Sequence, residues 1–243
     1  MAGWLLVNPR SGDGAGVSDL CGAASRLGVE AHVLRPGEDA GELARGARAD
    51  VLGVAGGDGS LATVAAAALE RDLPFVCVPF GTRNHFARDV GLDRGDTLGA
   101  LAGFAGDERR IDVGRANGRV FLNNVSIGAY AVLVHHGWRR VLDVVKLPYR
   151  LTLDAEAIRT RQLLVANNAY TLTGVRERLD EGLLHVYTAA GERKVAPHVT
   201  IDAHARRIRA AVDGERAVFT TPLEIEIDPR ALRVLLPRRP VGE

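Results

Sequence analysis

Residues 4–78 alternate short apolar runs with helix-forming segments, and this alternation restricts the fold more than any other property of the chain. Trp4–Val7, Ala31–Leu34, Val51–Ala55 and Phe75–Val78 read as strands. Val17–Leu27, Asp39–Ala47 and the alanine-rich Ser60–Arg71 read as helices. Strands separated by helices cannot pair as hairpins, and the chain is expected to form a doubly wound parallel α/β lobe. Ligands of such sheets sit beyond the carboxyl ends of the strands. Three loops follow strand ends directly: Asn8-Pro9-Arg10-Ser11-Gly12, Gly56-Gly57-Asp58-Gly59-Ser60 and Pro79-Phe80-Gly81-Thr82. All three are expected to converge on one cleft.

The second of these loops carries the most chemical information. An apolar strand, Val54-Ala55, runs into three glycines around one carboxylate, and Ser60-Leu61 then opens a helix. Glycines let backbone approach a bulky anion and tolerate a tight turn. The first turn of the following helix offers unpaired N–H groups and the positive end of its dipole, which suit phosphate. Asp58 is costly beside phosphate unless it serves a metal or a proton. A glycine turn with Ser60 as a plain N-cap is the alternative that needs no ligand. No G-x-x-x-x-G-K-[ST] occurs, which excludes a Walker-type NTPase. Gly12-Asp13-Gly14-Ala15-Gly16-Val17 lacks the third glycine of the dinucleotide fingerprint.

After Phe104 the pattern becomes short apolar runs: Ile111–Val113, Arg119–Val125, Leu163–Val165, Leu183–Tyr187, Ile208–Val212, Val218–Thr220, Leu223–Ile227 and Leu232–Leu236. One helical stretch, Tyr130–Leu147, interrupts them. The expected organisation is an α/β lobe over residues 1–104 and a mostly antiparallel β lobe over 105–243, its last strands packing back on the first lobe. The net charge of +1 argues against nucleic acid as the main partner. Cys21 and Cys77 stand far apart in apolar contexts and read as free buried thiols of a reducing, cytoplasmic compartment. No stretch reads as a signal peptide or a transmembrane segment, so the expected site of action is the cytoplasm or, peripherally, a membrane surface. Edge strands of the β lobe would serve a homodimer.

Four further segments carry candidate chemistry. In Pro79–Asp89, Thr82 is a phosphate donor or a helix cap, and Arg83 and Arg88 are candidate counter-charges. His85 reads as a satisfied structural histidine ahead of a ligand-facing one. Asn123-Asn124-Val125-Ser126-Ile127-Gly128 ends a strand in a polar cluster, either facing a cleft or making a simple turn. Asp213-Gly214-Glu215 joins two β-patterned runs; Asp-Gly is a preferred type I′ hairpin turn, and Glu215 is alternatively a general base. Leu179-Asp180-Glu181-Gly182-Leu183 is an acidic turn that either binds a hard cation or only turns.

In this order and spacing the segments resemble the catalytic-domain family of diacylglycerol kinases, which includes bacterial lipid kinases and sphingosine kinases. The motifs that carry the resemblance are Asn8–Gly12, Gly56–Ser60, Pro79–Asn84, Asn124–Gly128, Glu181–Leu184 and Asp213–Glu215. It implies an α/β nucleotide lobe, a β-sandwich lobe and an ATP site in the cleft between them. It further implies Mg²⁺-assisted transfer of the ATP γ-phosphoryl group to a lipid hydroxyl such as that of diacylglycerol. By matching position, Asn8, Pro9, Arg10, Ser11, Gly12, Gly56, Gly57, Asp58, Gly59, Ser60, Leu61, Ala62, Thr63 and Thr82 would hold the nucleotide. Asp58 would orient the ion or the acceptor hydroxyl, and Glu215 would be the catalytic base. Glu181, with the carbonyls of Arg178 and Leu183, would hold a structural Mg²⁺.

The chain departs from the family pattern at Ser60, where threonine is usual, at His85, where aspartate is frequent, and at Glu181, where aspartate is commoner. The acceptor tail is expected along Val132–Leu147, with Trp138 and Tyr149 at a membrane interface. Two rival functions are a non-catalytic nucleotide-binding regulatory module and an NAD kinase. The second is disfavoured because no Asn-Glu dipeptide occurs in the chain.

Overall fold

The computed structural model describes residues 2–11, 16–82, 84–128, 131, 149–188 and 190–238. Gly12, Arg83 and, apart from Ala131, the helix expected over Tyr130–Leu147 lie outside the described residues, as does the proposed tail site with Trp138. Two units share the chain: Met1–Ile111 with Arg230–Glu243, and Asp112–Pro229.

The first unit contains β1 (Gly3–Val7), α1 (Val17–Arg26), β2 (Val29–Val33), α2 (Ala40–Gly46), β3 (Val51–Gly56), α3 (Asp58–Glu70), β4 (Phe75–Pro79) and α4 (His85–Asp89). A 3₁₀ segment, Gly99–Ala105, and the second half of β16 (Leu223–Leu236) complete it. Its strands run in the order β2-β1-β3-β4, all parallel, and Val234 of β16 joins Phe75 of β4 in the same sense. β3 and β4 are buried along their whole length, as strands covered on both faces must be. Leu61, Val64, Ala65, Ala67 and Ala68 bury one broad side of α3, where small side chains allow close packing. Successive connections leave β1 in opposite directions, to β2 and to β3. The carboxyl ends of β1 and β3 therefore mark the switch point of the sheet, where a ligand finds a crevice.

The second unit is a β-sandwich. One layer has the order β12 (Gly191–Ala196), β11 (Leu184–Thr188), β10 (Gln162–Asn167), β7 (Asn124–Gly128), β14 (Arg207–Val212) and β15 (Glu215–Thr220). The other layer pairs the first half of β16 with β13 (His198–Asp202), then β8 (Tyr149–Leu153) and β9 (Glu156–Thr160), all antiparallel. β5 (Asp107–Ala116) enters from the first unit and forms a hairpin with β6 (Arg119–Phe121). Both layers give side chains to a single core: Val125, Ile127, Leu163, Val186 and Ile208 from one, Leu151, Val199, Ile201 and Ile225 from the other.

The doubly wound α/β lobe and the antiparallel β-sandwich lobe read from the sequence are thus both present. β8, β9, β12 and β13 were not anticipated. Their apolar residues alternate with charges, and the β8–β9 hairpin turns through Asp154-Ala155 rather than a glycine pair, both at positive φ (46° and 69°). The two apolar runs Leu223–Ile227 and Leu232–Leu236 are one strand, β16. Pro229, which has no N–H to donate, falls between the residues of β16 that pair with β13 and the one that pairs with β4.

Candidate active site

The three strand-end loops of the first unit meet. Asn8, after β1, donates from Nδ2 to Ser60 Oγ at 2.7 Å, and its Oδ1 accepts from Arg10 N–H at 3.0 Å. Ser11 N–H donates to the Asn8 carbonyl, closing the turn. Gly57 and Gly81 pack backbone to backbone: a Cβ on Gly81 would lie 2.7 Å from Gly57 Cα and 3.1 Å from Gly57 N. Asn84, buried and at φ 47°, locks the third loop by accepting from Gly81 N–H (2.9 Å) and donating to the Gly81 carbonyl (2.7 Å). A side chain at position 81 would break this junction.

Gly57 differs from its neighbours. Its φ of −86° is open to any residue, and among the described residues a Cβ there would meet nothing nearer than Ser11 Oγ at 3.8 Å. Neither backbone strain nor packing requires glycine. What the missing side chain does is leave the first N–H groups of α3 uncovered, and the first turn of a helix has no internal partners for them. A cradle of this kind accepts the oxygens of a phosphate.

Asp58 has partners the sequence did not reveal. Its carboxylate accepts the N–H groups of His85 (3.3 Å) and Phe86 (3.1 Å), so it caps α4 while standing in the first turn of α3. Those two amides offset a charge that otherwise opposes an anion. Cys77 on β4 is fully buried; burial, with the Asp58 charge adding to it, pushes its thiol pKa well up. His85 itself is exposed, and its N–H is engaged by Asp58. Leu61 is fully buried and its N–H closes a helical bond to the Gly57 carbonyl, so its side chain serves the core rather than a ligand. Thr63 Oγ1 bonds back to the Gly59 carbonyl, and Thr82 and Arg10 are exposed at the loops.

In the second unit the Asp213-Gly214 turn is type I′, with φ 49° and 83°, and its two carboxylates divide sharply. Asp213 is buried and accepts three backbone N–H groups, from Leu122 (2.8 Å), Asn123 (2.8 Å) and Asn124 (3.0 Å). Glu215, opening β15, is exposed and lies 3.5 Å from the guanidinium of Arg119. Around Asn123 and Asn124 runs a buried polar network that sequence reading missed. Arg176 donates to the carbonyls of Leu122 and Asn167 and to Asn123 Oδ1, while Asn124 donates to the Tyr170 hydroxyl. Besides the Asn123-Asn124 cluster, the paired asparagines Asn167-Asn168 at the end of an apolar run were a sequence signal for it.

At the Glu181 turn several of the oxygens that a hard cation would take already have protein partners. Such ions take six or more oxygens, with carboxylates prominent. Here the Glu181 carboxylate is joined by that of Asp112, which accepts Gly182 N–H at 2.6 Å, and the Leu183 carbonyl accepts from Asn168 N–H at 3.0 Å. Arg178 Nη1 lies 3.8 Å from Glu181 Oε1, and His185 Nε2 lies 3.4 Å from Oε2. Among the described residues, no group of three or more His, Cys, Asp or Glu is placed to hold a metal ion.

Comparison with known proteins decides which family this architecture represents. Residues 2–116, which include all three strand-end loops, match the diacylglycerol kinase catalytic domain family. Residues 2–116 carry the catalytic domain of that family. It is 28% identical to a diacylglycerol kinase of Mycobacterium tuberculosis (strain H37Rv), over 96% of this chain and 94% of that protein. A diacylglycerol kinase of Bacillus subtilis (strain 168) is 36% identical over 35% of this chain and 29% of its own length. The crystal structure of a diacylglycerol kinase from Bacillus anthracis str. Sterne superposes with a TM-score of 0.75, covering 100% of this chain and 98% of that one at 20% identity. The family placement thus comes from sequence, and the shared fold spans the whole length of the chain.

Proposed function

We propose that the chain is an ATP-dependent lipid kinase that transfers a γ-phosphoryl group to a lipid hydroxyl such as that of diacylglycerol. The observation that carries this reading is Gly57, which neither its backbone angle nor any described neighbour requires to be glycine, at the switch point of the sheet. The family match over the same loops and the names borne by the relatives support the acceptor class.

Amides of the Gly57–Ser60 turn would cradle phosphates, with Asn8 and Ser60 holding the turn to the first loop and the exposed Arg10 supplying positive charge. When bound, Mg²⁺ would offset the negative charge of the transferring phosphate. The acceptor oxygen bonds to the γ-phosphorus as the bond from phosphorus to the β,γ-bridging oxygen breaks and ADP leaves. The hydroxyl proton passes to Glu215. Asp58 orders both loops through the His85 and Phe86 amides. No helix among the described residues is long and apolar enough to cross a membrane, so the lipid would be met at a membrane surface.

The test is transfer of labelled phosphate from ATP to diacylglycerol in mixed micelles with Mg²⁺. A labelled lipid, reduced about 10²–10⁴-fold by Glu215→Gln, is the expected result. Nucleotide binding without transfer to any lipid would make the chain a regulatory module, and labelled NAD would make it an NAD kinase.

A further inference from the structure

We propose that the Arg178–Leu183 loop is ordered by the protein's own side chains in place of the structural divalent cation that the family resemblance implies there. This rests on the family placement, not on the lipid acceptor, and it concerns a different ion from the one that accompanies ATP.

A structural cation does two things for a loop of this kind: it gathers carbonyl and carboxylate oxygens, and it cancels their charge. Protein groups perform both tasks here. Gly182 N–H donates to Asp112 Oδ2 at 2.6 Å, and Glu181 N–H donates to Asn168 Oδ1 at 3.2 Å. Asn168 N–H returns to the Leu183 carbonyl, and Asp112 N–H takes the Leu179 carbonyl at 2.7 Å. The backbone of the turn is therefore fastened to β5 and to the end of β10 without an ion. The Arg178 guanidinium lies beside one carboxylate oxygen of Glu181, and the His185 ring lies beside the other. His185 is held in place from behind, its Nδ1 being 2.7 Å from Glu192 Oε1. Its Nε2 is buried 3.4 Å from Glu181 Oε2, without hydrogen-bond geometry. A dication on Glu181 would face a guanidinium and a ring nitrogen within 4 Å of the same carboxylate. The longer side chain of Glu181 is what reaches these two partners.

Nucleotide-free full-length protein, stripped with chelator, is titrated calorimetrically with Mg²⁺ and melted with and without it. The expected result is no saturable binding that depends on Glu181 and the same melting temperature in both conditions. His185→Gln should melt several degrees lower, equally with and without Mg²⁺. Should that variant fail to fold, Arg178→Ala takes its place, with the same expectation. A saturable isotherm that raises the melting temperature and is lost in Glu181→Gln overturns the proposal. An isotherm that survives Glu181→Gln reports another site and leaves the loop metal-free. None of these readouts requires kinase activity, so failure of the lipid-kinase reading and failure of this one are distinguishable.

Discussion

Gly57 and Asp213 show how one residue separates what a fold needs from what a ligand needs. Serine at position 57 meets no close neighbour among the described residues and is a better helix N-cap than glycine, so Gly57→Ser should leave the melting temperature unchanged or slightly raised. The same side chain stands over the α3 amides, and ATP affinity measured by calorimetry should fall about tenfold or more, equivalent to about 1.4 kcal/mol. Equal affinity for both forms would remove the argument that the cradle is built for phosphate. In the Asp-Gly-Glu turn the contrast runs the other way. Asp213→Ala abandons three N–H donors from the Leu122–Asn124 segment, and one stranded buried group alone costs about 1–3 kcal/mol. Glu215→Gln gives up only an exposed pair with Arg119, worth about 0–1 kcal/mol. Denaturant melts should therefore show Asp213→Ala as strongly destabilised and Glu215→Gln as near wild type, with turnover lost in the second without loss of fold.

At the scale of elements, β5 and β16 are joined in the first unit by Arg233, whose Nε donates to Glu108 Oε2 at 2.9 Å and whose Nη2 forms an ion pair with the same oxygen at 2.8 Å. That hydrogen bond holds the Glu108 carboxyl below its ordinary value of 4.5. Because the folded-state value is depressed, the pair stabilises the protein fully above the ordinary value and loses its contribution as pH falls through the folded one. Between about pH 5 and 3, wild type should therefore lose more stability than Glu108→Gln, by about 0.2–1 kcal/mol for a pair this exposed. Urea melts across that range check it, and parallel slopes would show the pair to be inert. The sequence could not disclose this contact, since its partners are 125 residues apart. What it did disclose was periodic and local: the alternation that makes β1 to β4 and their helices, and glycine loops at strand ends. The sandwich was readable where strands were apolar, as in β10 and β14, and obscured where charge alternates, as in β12, an exposed edge strand whose charges discourage further pairing. In the site, loop convergence followed from strand direction alone, whereas the capping of α4 by Asp58 and the Asn123–Arg176 network depend on tertiary contacts that no local pattern encodes.

For the whole molecule, the decisive property is that the chain leaves its first unit at Ile111 and returns to it at Arg230. The returning half of β16 is part of that unit's interior: Leu232 and Val234 are essentially inaccessible and Leu235 nearly so. Close approach marks the junction, since a Cβ on Gly106 would lie 1.9 Å from the Leu236 carbonyl oxygen. Burial of three such aliphatic side chains is worth roughly 5–9 kcal/mol, against a total stability of about 5–15 kcal/mol for a domain. A chain ending at residue 229 would keep all three strand-end loops and every nucleotide-contacting residue proposed here, yet should lack a folded first unit. The expected observation is loss of the cooperative thermal transition followed by Trp4, which is buried on β1, together with loss of ATP binding. The separate sandwich core should still give strand-type circular dichroism, because none of its core residues lies beyond position 227. Retention of ATP binding by the shortened chain would show instead that β1 to β4 hold the phosphate loops without the strand that closes their sheet.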